Sequence, residues 1–475
     1  MTLSDKIARA PAVGAATGHH LATELIETLK LAAPMALTQL GQIAMMTTDL
    51  AFIGRLGDAA VGAAALAGTV YFIAFTIGLG LISAVAPLAA QAFGARDPRM
   101  VRRSVRSGLW MGLLISLPIM IAPLRGEQIL HALGQAAEPS HLAQEYLFGL
   151  AWGVAPALWF IAIRGFMGAM NRPQPILWIT LAAIPLNALL VYLLIYGKFG
   201  LPPLGLFGVG LATATVNLCT FLVSLWIATQ QQPFRRYHIL ARLWRVDWEL
   251  MRKIAVIGAP ISIALMLEWG LFSSAALLMG VISTTALAAH QIALQVTAVL
   301  FMVPLGIGMA ATVRVGQAFG AGDTQGVKRA GQVAMGLGIA IGLALTVAVV
   351  ALRFTIVRLF LGENLPNIDA TVSLAGSLLL IGGTFYIMDG LQGIAAGALR
   401  GLNDTRMPLA FAAVSYWGVG FCSAYVMAFH TSLGAAGVWI GLSLGSFVYA
   451  TLLIWRFRLL ANRLNAQNMK AGNPR

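Results

Sequence analysis

Phe385-Tyr-Ile-Met-Asp-Gly-Leu-Gln-Gly-Ile-Ala-Ala-Gly-Ala-Leu-Arg-Gly401 closes an apolar run that begins near Thr371. Asp389, Gly393, Gly397 and Gly401 recur every four residues, so on a helix they form one stripe. Small residues at that spacing let a second helix approach closely inside a membrane. The carboxylate on the same stripe then faces protein or a cavity rather than lipid. A carboxylate at the centre of a spanning helix costs about 2.5–3.5 kcal/mol on insertion scales, so it is rarely kept without a use. Two more acids have similar surroundings: Glu268 within Ala264-Leu-Met-Leu-Glu-Trp-Gly270, and Asp49 within Met45-Met-Thr-Thr-Asp-Leu50. What three such acids could do, in a chain otherwise built for lipid, is the question the sequence poses.

Working outward, the composition agrees. The chain has 475 residues, of which 59% are hydrophobic and 10% charged, with a mean hydropathy of +0.82. Soluble domains carry about 25% charged residues, so a water-soluble globule is excluded. Apolar runs of spanning length lie at residues 28–52, 61–92, 107–124, 141–168, 173–196, 205–229, 252–279, 285–319, 331–352, 371–399, 408–429 and 433–456. The expected fold is an all-α polytopic membrane protein with twelve transmembrane helices. The net charge of +14 would suggest nucleic acid in a soluble chain, but here the basic residues lie in loops. The two cysteines, Cys219 and Cys422, sit in apolar runs and support no disulfide framework. Residues 1–21 lack an apolar core followed by a cleavage site and read as a tail, not a signal peptide.

Basic residues fall mostly on one side: Lys6, Arg9 and Lys30 in the N-terminal segment, Arg96 to Arg106 in loop 2–3, Arg235 to Lys253 in loop 6–7, and the C-terminal Arg456 to Arg475. The other side has Arg55, Arg125, Lys198, Arg353 and Arg358. This bias places both termini in the cytoplasm. The chain also repeats itself. Gln91-Ala-Phe-Gly-Ala-Arg-Asp97 returns as Gln317-Ala-Phe-Gly-Ala-Gly-Asp323, 226 residues on, and Pro34 returns as Pro260 at the same offset. Six spans per copy is an even number, so the copies run parallel. Parallel repeats with a site between them are a secondary-transporter architecture. The organisation expected is a cytoplasmic tail (1–21), an N-lobe (22–229), a cytoplasmic linker (230–251), a C-lobe (252–458) and a second cytoplasmic tail (459–475).

The acids do not repeat. The position matching Glu268 is Gln42, that matching Asp49 is Ala275, and that matching Asp389 is Ile161. Each half therefore has its own polar site. Glu268 and Asp389 are the candidate coupling-cation site, since carboxylates suit a hard cation such as Na⁺ and can bind protons instead. Asp49 shares a helix face with Thr38, Gln42 and Met46, which reads as cavity lining. Pro34 and Pro260 are candidate helix bends. His290-Gln291, near the outer side of the eighth span, is a candidate substrate or cation contact, with capping or packing as the duller reading. Arg164 and Arg314 read as snorkelling side chains near cytoplasmic ends.

Taken in order, the chain resembles the multidrug and toxic compound extrusion (MATE) family, in its NorM-type branch, over about residues 25–458. The resemblance rests on Asp49 before Phe52-Ile-Gly54, Pro185-Leu-Asn187, Gly208-Val-Gly-Leu-Ala-Thr213 and Ala288-Ala-His-Gln-Ile-Ala-Leu294. It also rests on Arg314-Val-Gly316, and on Met388-Asp389 with Ala395-Ala-Gly-Ala-Leu-Arg-Gly401. It implies two six-helix lobes around a central V-shaped cavity, and export of bulky, often cationic compounds against inward Na⁺ or H⁺. It implies a C-lobe cation site at Glu268 and Asp389. The family's pattern has Tyr four before the Asp, where this chain has Phe385; Tyr386, at minus three, still shares the Asp face. It further implies an N-lobe proton or cation site at Asp49, Asn187 and Thr213, although Ala183 replaces a usual Asn. Gln42, Met46, His290 and Gln291 would line the substrate cavity. No cofactor beyond the coupling ion and no catalytic residue is expected, and the expected setting is a monomer in a bacterial inner membrane. The rivals are a lipid or lipid-linked flippase, which would want a more basic cavity, and an intramembrane enzyme using the buried acids.

Overall fold

The structure, a computed structural model, describes residues 13–200, 202–361 and 368–471. Lys6, Arg9 and Arg475 of the charge pattern lie outside the described residues. Helices follow one another as α1 (Val13–Gly54), α2 (Asp58–Gly94), α3 (Pro98–Leu124), α4 (Ala137–Ala151 and Val154–Ala169), α5 (Gln174–Tyr196) and α6 (Gly205–Gln230). The second half has α7 (Trp248–Ile282), α8 (Thr284–Gly320), α9 (Thr324–Leu361), α10 (Ile368–Gly401), α11 (Arg406–Phe429) and α12 (Ala435–Ala471). Among the described residues ten helices are long and apolar enough to cross a bilayer, and α4, bent by 46° at its break, makes an eleventh. The twelfth, α1, is 42 residues long but carries Gln39, Gln42 and Asp49 along its inner stretch.

The ends differ from expectation. Helix α1 begins at Val13, inside the expected tail, and α12 runs past residue 458 to Ala471. Both extensions mix charged and polar residues with apolar ones, so a search for apolar runs stops short of them. Phe457 and Ala461 are buried, while Arg456 pairs with Asp404 at 2.7 Å. Helix α7 likewise starts at Trp248, inside the expected linker, where Asp247 caps it by accepting from the Leu250 N–H at 3.2 Å. Pro34 and Pro260 both lie inside continuous helices. The Thr38 hydroxyl donates to the Pro34 carbonyl at 2.8 Å.

The lobes meet along a seam of α1 and α2 against α7 and α8, and the seam repeats the 226-residue offset. A methyl group added to Gly80 of α2 would lie 2.5 Å from the Ser262 nitrogen of α7. One added to Gly306 of α8 would lie 2.5 Å from the Ala36 nitrogen of α1. Backbones touch there because neither position has a side chain. Farther along, Gly94 closes on the Gln317 carbonyl and Gly320 on the Gln91 carbonyl.

Candidate functional site

Asp49 of α1 is buried and both of its oxygens are engaged. Oδ1 accepts from Asn187 Nδ2 of α5 at 2.6 Å, and Oδ2 accepts from the Thr213 hydroxyl of α6 at 3.1 Å. The three residues named for the N-lobe thus come together from three helices. Ala183 is buried one turn before Asn187 and adds no donor.

The C-lobe acids are held differently. One amide serves both: Gln392 Nε2 lies 3.2 Å from Glu268 Oε1 and 3.3 Å from Asp389 Oδ1. Glu268 Oε1 also accepts from the Tyr416 hydroxyl at 3.3 Å. Tyr416 sits in a π-helical stretch of α11, Ala413–Phe421, which also lets Trp417 Nε1 reach the Leu267 carbonyl at 3.2 Å. Wider turns of this kind often occur where a function needs a side chain re-aimed. The Tyr416 ring packs on Tyr449 of α12, centroids 4.9 Å apart. Among the described residues, no Lys, Arg or His lies within ion-pair distance of Asp49, Glu268 or Asp389. No cluster of three or more His, Cys, Asp or Glu side chains occurs there either.

A cavity of about 230 Å³ lies between the lobes. Glu268 and Gln392 line it, with Tyr416, Tyr449 and Arg400 from the C-lobe and Gln39 and Arg164 from the N-lobe. Asp389 sits behind Gln392, in a separate small cavity that it shares with Tyr386 and Thr297. Tyr386 places its hydroxyl against Gly382, one turn back along α10. The phenol that reaches an acid is therefore Tyr416, which sequence reasoning missed.

The four residues expected to line a substrate cavity lie off the wall of this one. His290 has no exposed surface; its Nδ1 accepts from Trp439 Nε1 at 3.1 Å, which buries it between α8 and α12 inside the C-lobe. Gln291 is exposed on another face of α8, and the wall residues of α8 begin at Phe301, some three turns farther in. Met46 is 73% exposed and Gln42 half-buried, and neither lines the cavity; Met35 and Gln39, nearer the closed end of the seam, line it from α1. Arg164 does not snorkel. It turns into the cavity and donates to Gln39 Oε1 at 2.9 Å. Arg314 pairs with Glu24 through two bonds of 2.8 and 2.7 Å.

Comparison with known proteins gives the context for this geometry. The sequence profile of the MatE family matches residues 34–193 and 260–426, one stretch in each lobe. A probable multidrug resistance protein NorM of Bradyrhizobium diazoefficiens is 67% identical, covering 94% of this chain and 96% of the relative. A relative of the same name in Rhodopseudomonas palustris is 56% identical, covering 92% of each chain. Among solved structures, an outward-facing multidrug resistance MATE family transporter of the MOP superfamily superposes with a TM-score of 0.84 at 20% identity. The match covers 93% of this chain and 96% of that one, and supports the fold. With a profile spanning both lobes and relatives this similar over nearly their whole length, the chain belongs to the MatE family, as a NorM-type membrane transporter rather than an enzyme.

Proposed function

We propose that this chain is a multidrug exporter that moves bulky, often cationic organic compounds out of the cell in exchange for inward Na⁺ or H⁺. The observation that carries the coupling is the Glu268–Gln392–Asp389 arrangement: two carboxylates share a single amide donor and have no basic partner within ion-pair distance. Two such charges inside a bilayer call for a cation or protons. Glu268, on the cavity wall, is the entry point, and Asp389 is the deeper ligand. Binding of the ion there and binding of substrate in the cavity favour different states of the lobes, and that difference is all that exchange requires. Asp49, with both oxygens already served by donors, is the secondary protonation site. The curated relatives are named multidrug resistance proteins, which supports the substrate class. The charge bias supports an inner-membrane setting with cytoplasmic termini, and a monomer suffices because both lobes lie in one chain.

Everted vesicles given a fluorescent cationic dye in the bathing medium test this. Under an imposed Na⁺ or pH gradient, dye movement is expected to follow one gradient and to vanish in Glu268→Gln and Asp389→Asn. Movement intact in both variants would overturn the C-lobe assignment.

A second reading has its own observation. Arg164 and Arg400 put two guanidinium groups on the cavity wall beside one carboxylate. That suits a substrate with an anionic group, as a lipid headgroup would supply. Competition by an anionic amphiphile stronger than by the dye itself would favour it.

A further inference from the structure

Alternating access requires the lobes to part where they now touch. What holds them there is a pair of matched contacts. Gln91, at the end of α2, donates through Nε2 to the Gly401 carbonyl at 2.8 Å, and its Oε1 accepts from Asn403 Nδ2 at 2.8 Å. Gln317, at the end of α8, donates through Nε2 to the Ala169 carbonyl at 2.8 Å and to Asn171 Oδ1 at 3.0 Å. Each glutamine crosses the seam to the C-terminal turn of a helix in the other lobe, where carbonyls lack intrahelical partners. Each meets an asparagine two residues farther on, held in the left-handed region with φ of 58° at Asn171 and 59° at Asn403.

Resting on the alternating-access reading, we propose that Gln91 with Asn403, and Gln317 with Asn171, are two clasps that hold the face bearing loops 2–3 and 8–9 shut, and that their release opens it. The chemistry suits a contact made and broken in every cycle. An amide both donates and accepts, and water replaces its partners when the clasp opens, so each bond is worth little net. It carries no charge, so it holds whether or not the acids are occupied. The clasps belong to the Gln-Ala-Phe-Gly repeat, the most closely duplicated stretch of the chain, whereas the acids are not duplicated at all. The Arg314–Glu24 pair adjoins Gln317, with Arg314 Nη1 3.5 Å from Gln317 Oε1. The position matching Arg314 is Leu88, so the Gln317 clasp is the firmer. These are positioning residues: none touches the coupling acids.

The test reads which side of the membrane reaches the central cavity. A Ser83→Cys reporter on the cavity wall, in a background of Cys219→Ser and Cys422→Ser, is labelled with a membrane-impermeant maleimide in everted and in right-side-out vesicles. With both clasps intact, labelling is expected to be faster from the side opposite the clasps. Gln91→Leu or Gln317→Leu should raise labelling from the clasp side by about tenfold, the scale of losing one or two net hydrogen bonds. Asn403→Gly and Asn171→Gly remove the partner amide while glycine keeps the left-handed backbone. They should shift labelling in the same direction by less, and they carry the test if a leucine variant fails to fold. Clasp-side labelling unchanged in all four variants would overturn the clasps. Labelling that shifts while no ion gradient drives dye would leave the clasps standing and sink the coupling. Dye driven by a gradient with labelling unmoved would do the reverse.

Discussion

The seam between the lobes obeys the 226-residue repeat, whereas the buried acids ignore it. Gly80 meets Ser262 as Gly306 meets Ala36, and Gln91 reaches across as Gln317 does. By contrast, Asp49 stands alone with a donor for each oxygen, while Glu268 and Asp389 stand together and share the Gln392 amide, with Tyr416 serving Glu268 alone. Contacts that join a lobe to its own copy gain from matching, because each change is felt on both sides of the pseudo-axis. Sites that hold an ion have no such partner, and each lobe is free to carry its own.

The largest effects should come from the unmatched part. Asp49 already has its hydrogen bonds, so it needs an external cation less than the C-lobe pair does. Glu268→Gln and Asp389→Asn are each expected to lower gradient-driven transport by about 100-fold, the upper end for losing a charged partner. Asp49→Asn should cost only about tenfold on the same scale. Initial rates in vesicles at equal protein amount decide it. Asp49→Asn proving the most damaging of the three would invert the ranking of the lobes.

The matched part predicts equality instead. A methyl group at Gly80 or Gly306 meets a backbone nitrogen at 2.5 Å, and overpacking of that kind costs about 1–3 kcal/mol. Gly80→Ala and Gly306→Ala should therefore lower the thermal midpoint of the purified protein by similar amounts. A loss confined to one of them would show that the seam is symmetric in shape but not in load.

Sequence alone carried the helices and the acids, for physical reasons. Apolar runs mark spans because the bilayer leaves the backbone few alternatives, and an acid in such a run stands out by its cost. Partners were harder. Gln392 could have been found, since it lies three residues after Asp389 and so shares its face. Tyr416 could not, because it depends on a π-helical stretch that no hydrophobic period reveals. His290 misled because its partner, Trp439, is 149 residues away and buries it. Arg164 looked like a residue at a helix end, and only the packing of α4 against the seam turns it into the cavity. Tyr416→Phe measures what that omission is worth. Losing one hydrogen bond to a carboxylate, worth about 1.5–3 kcal/mol, leaves Glu268 more in need of a cation, so coupling-ion binding should tighten by about tenfold. No change would leave Gln392 as the sole organiser of the pair.

The smallest effect tests a place where the seam itself departs from symmetry. Asp247 caps α7 and accepts from Arg103 Nε of α3 at 2.7 Å, joining the lobes. Its counterpart in the repeat, ahead of the matching stretch of α1, is Leu21. The hydrogen bond from Arg103 holds the Asp247 carboxyl below the usual carboxylate range, and the Leu250 N–H acts in the same direction. A carboxyl whose proton affinity falls on folding stabilises the fold above its unfolded pKa, and that contribution fades as the pH drops through the folded value. Asn also caps helices well, so Asp247→Asn keeps the cap and loses only the charge. Near neutral pH the variant should be less stable by about 0.5–1 kcal/mol, the range for a partly exposed ion pair. The gap to wild type should begin to narrow as the pH falls below ~4, where the carboxyl of the unfolded chain takes up its proton, and close once the native carboxyl protonates at lower pH. Thermal midpoints of both proteins across that range decide it. No gap at neutral pH would mean that Asp247 acts through the cap alone, and that the charge across the seam adds nothing.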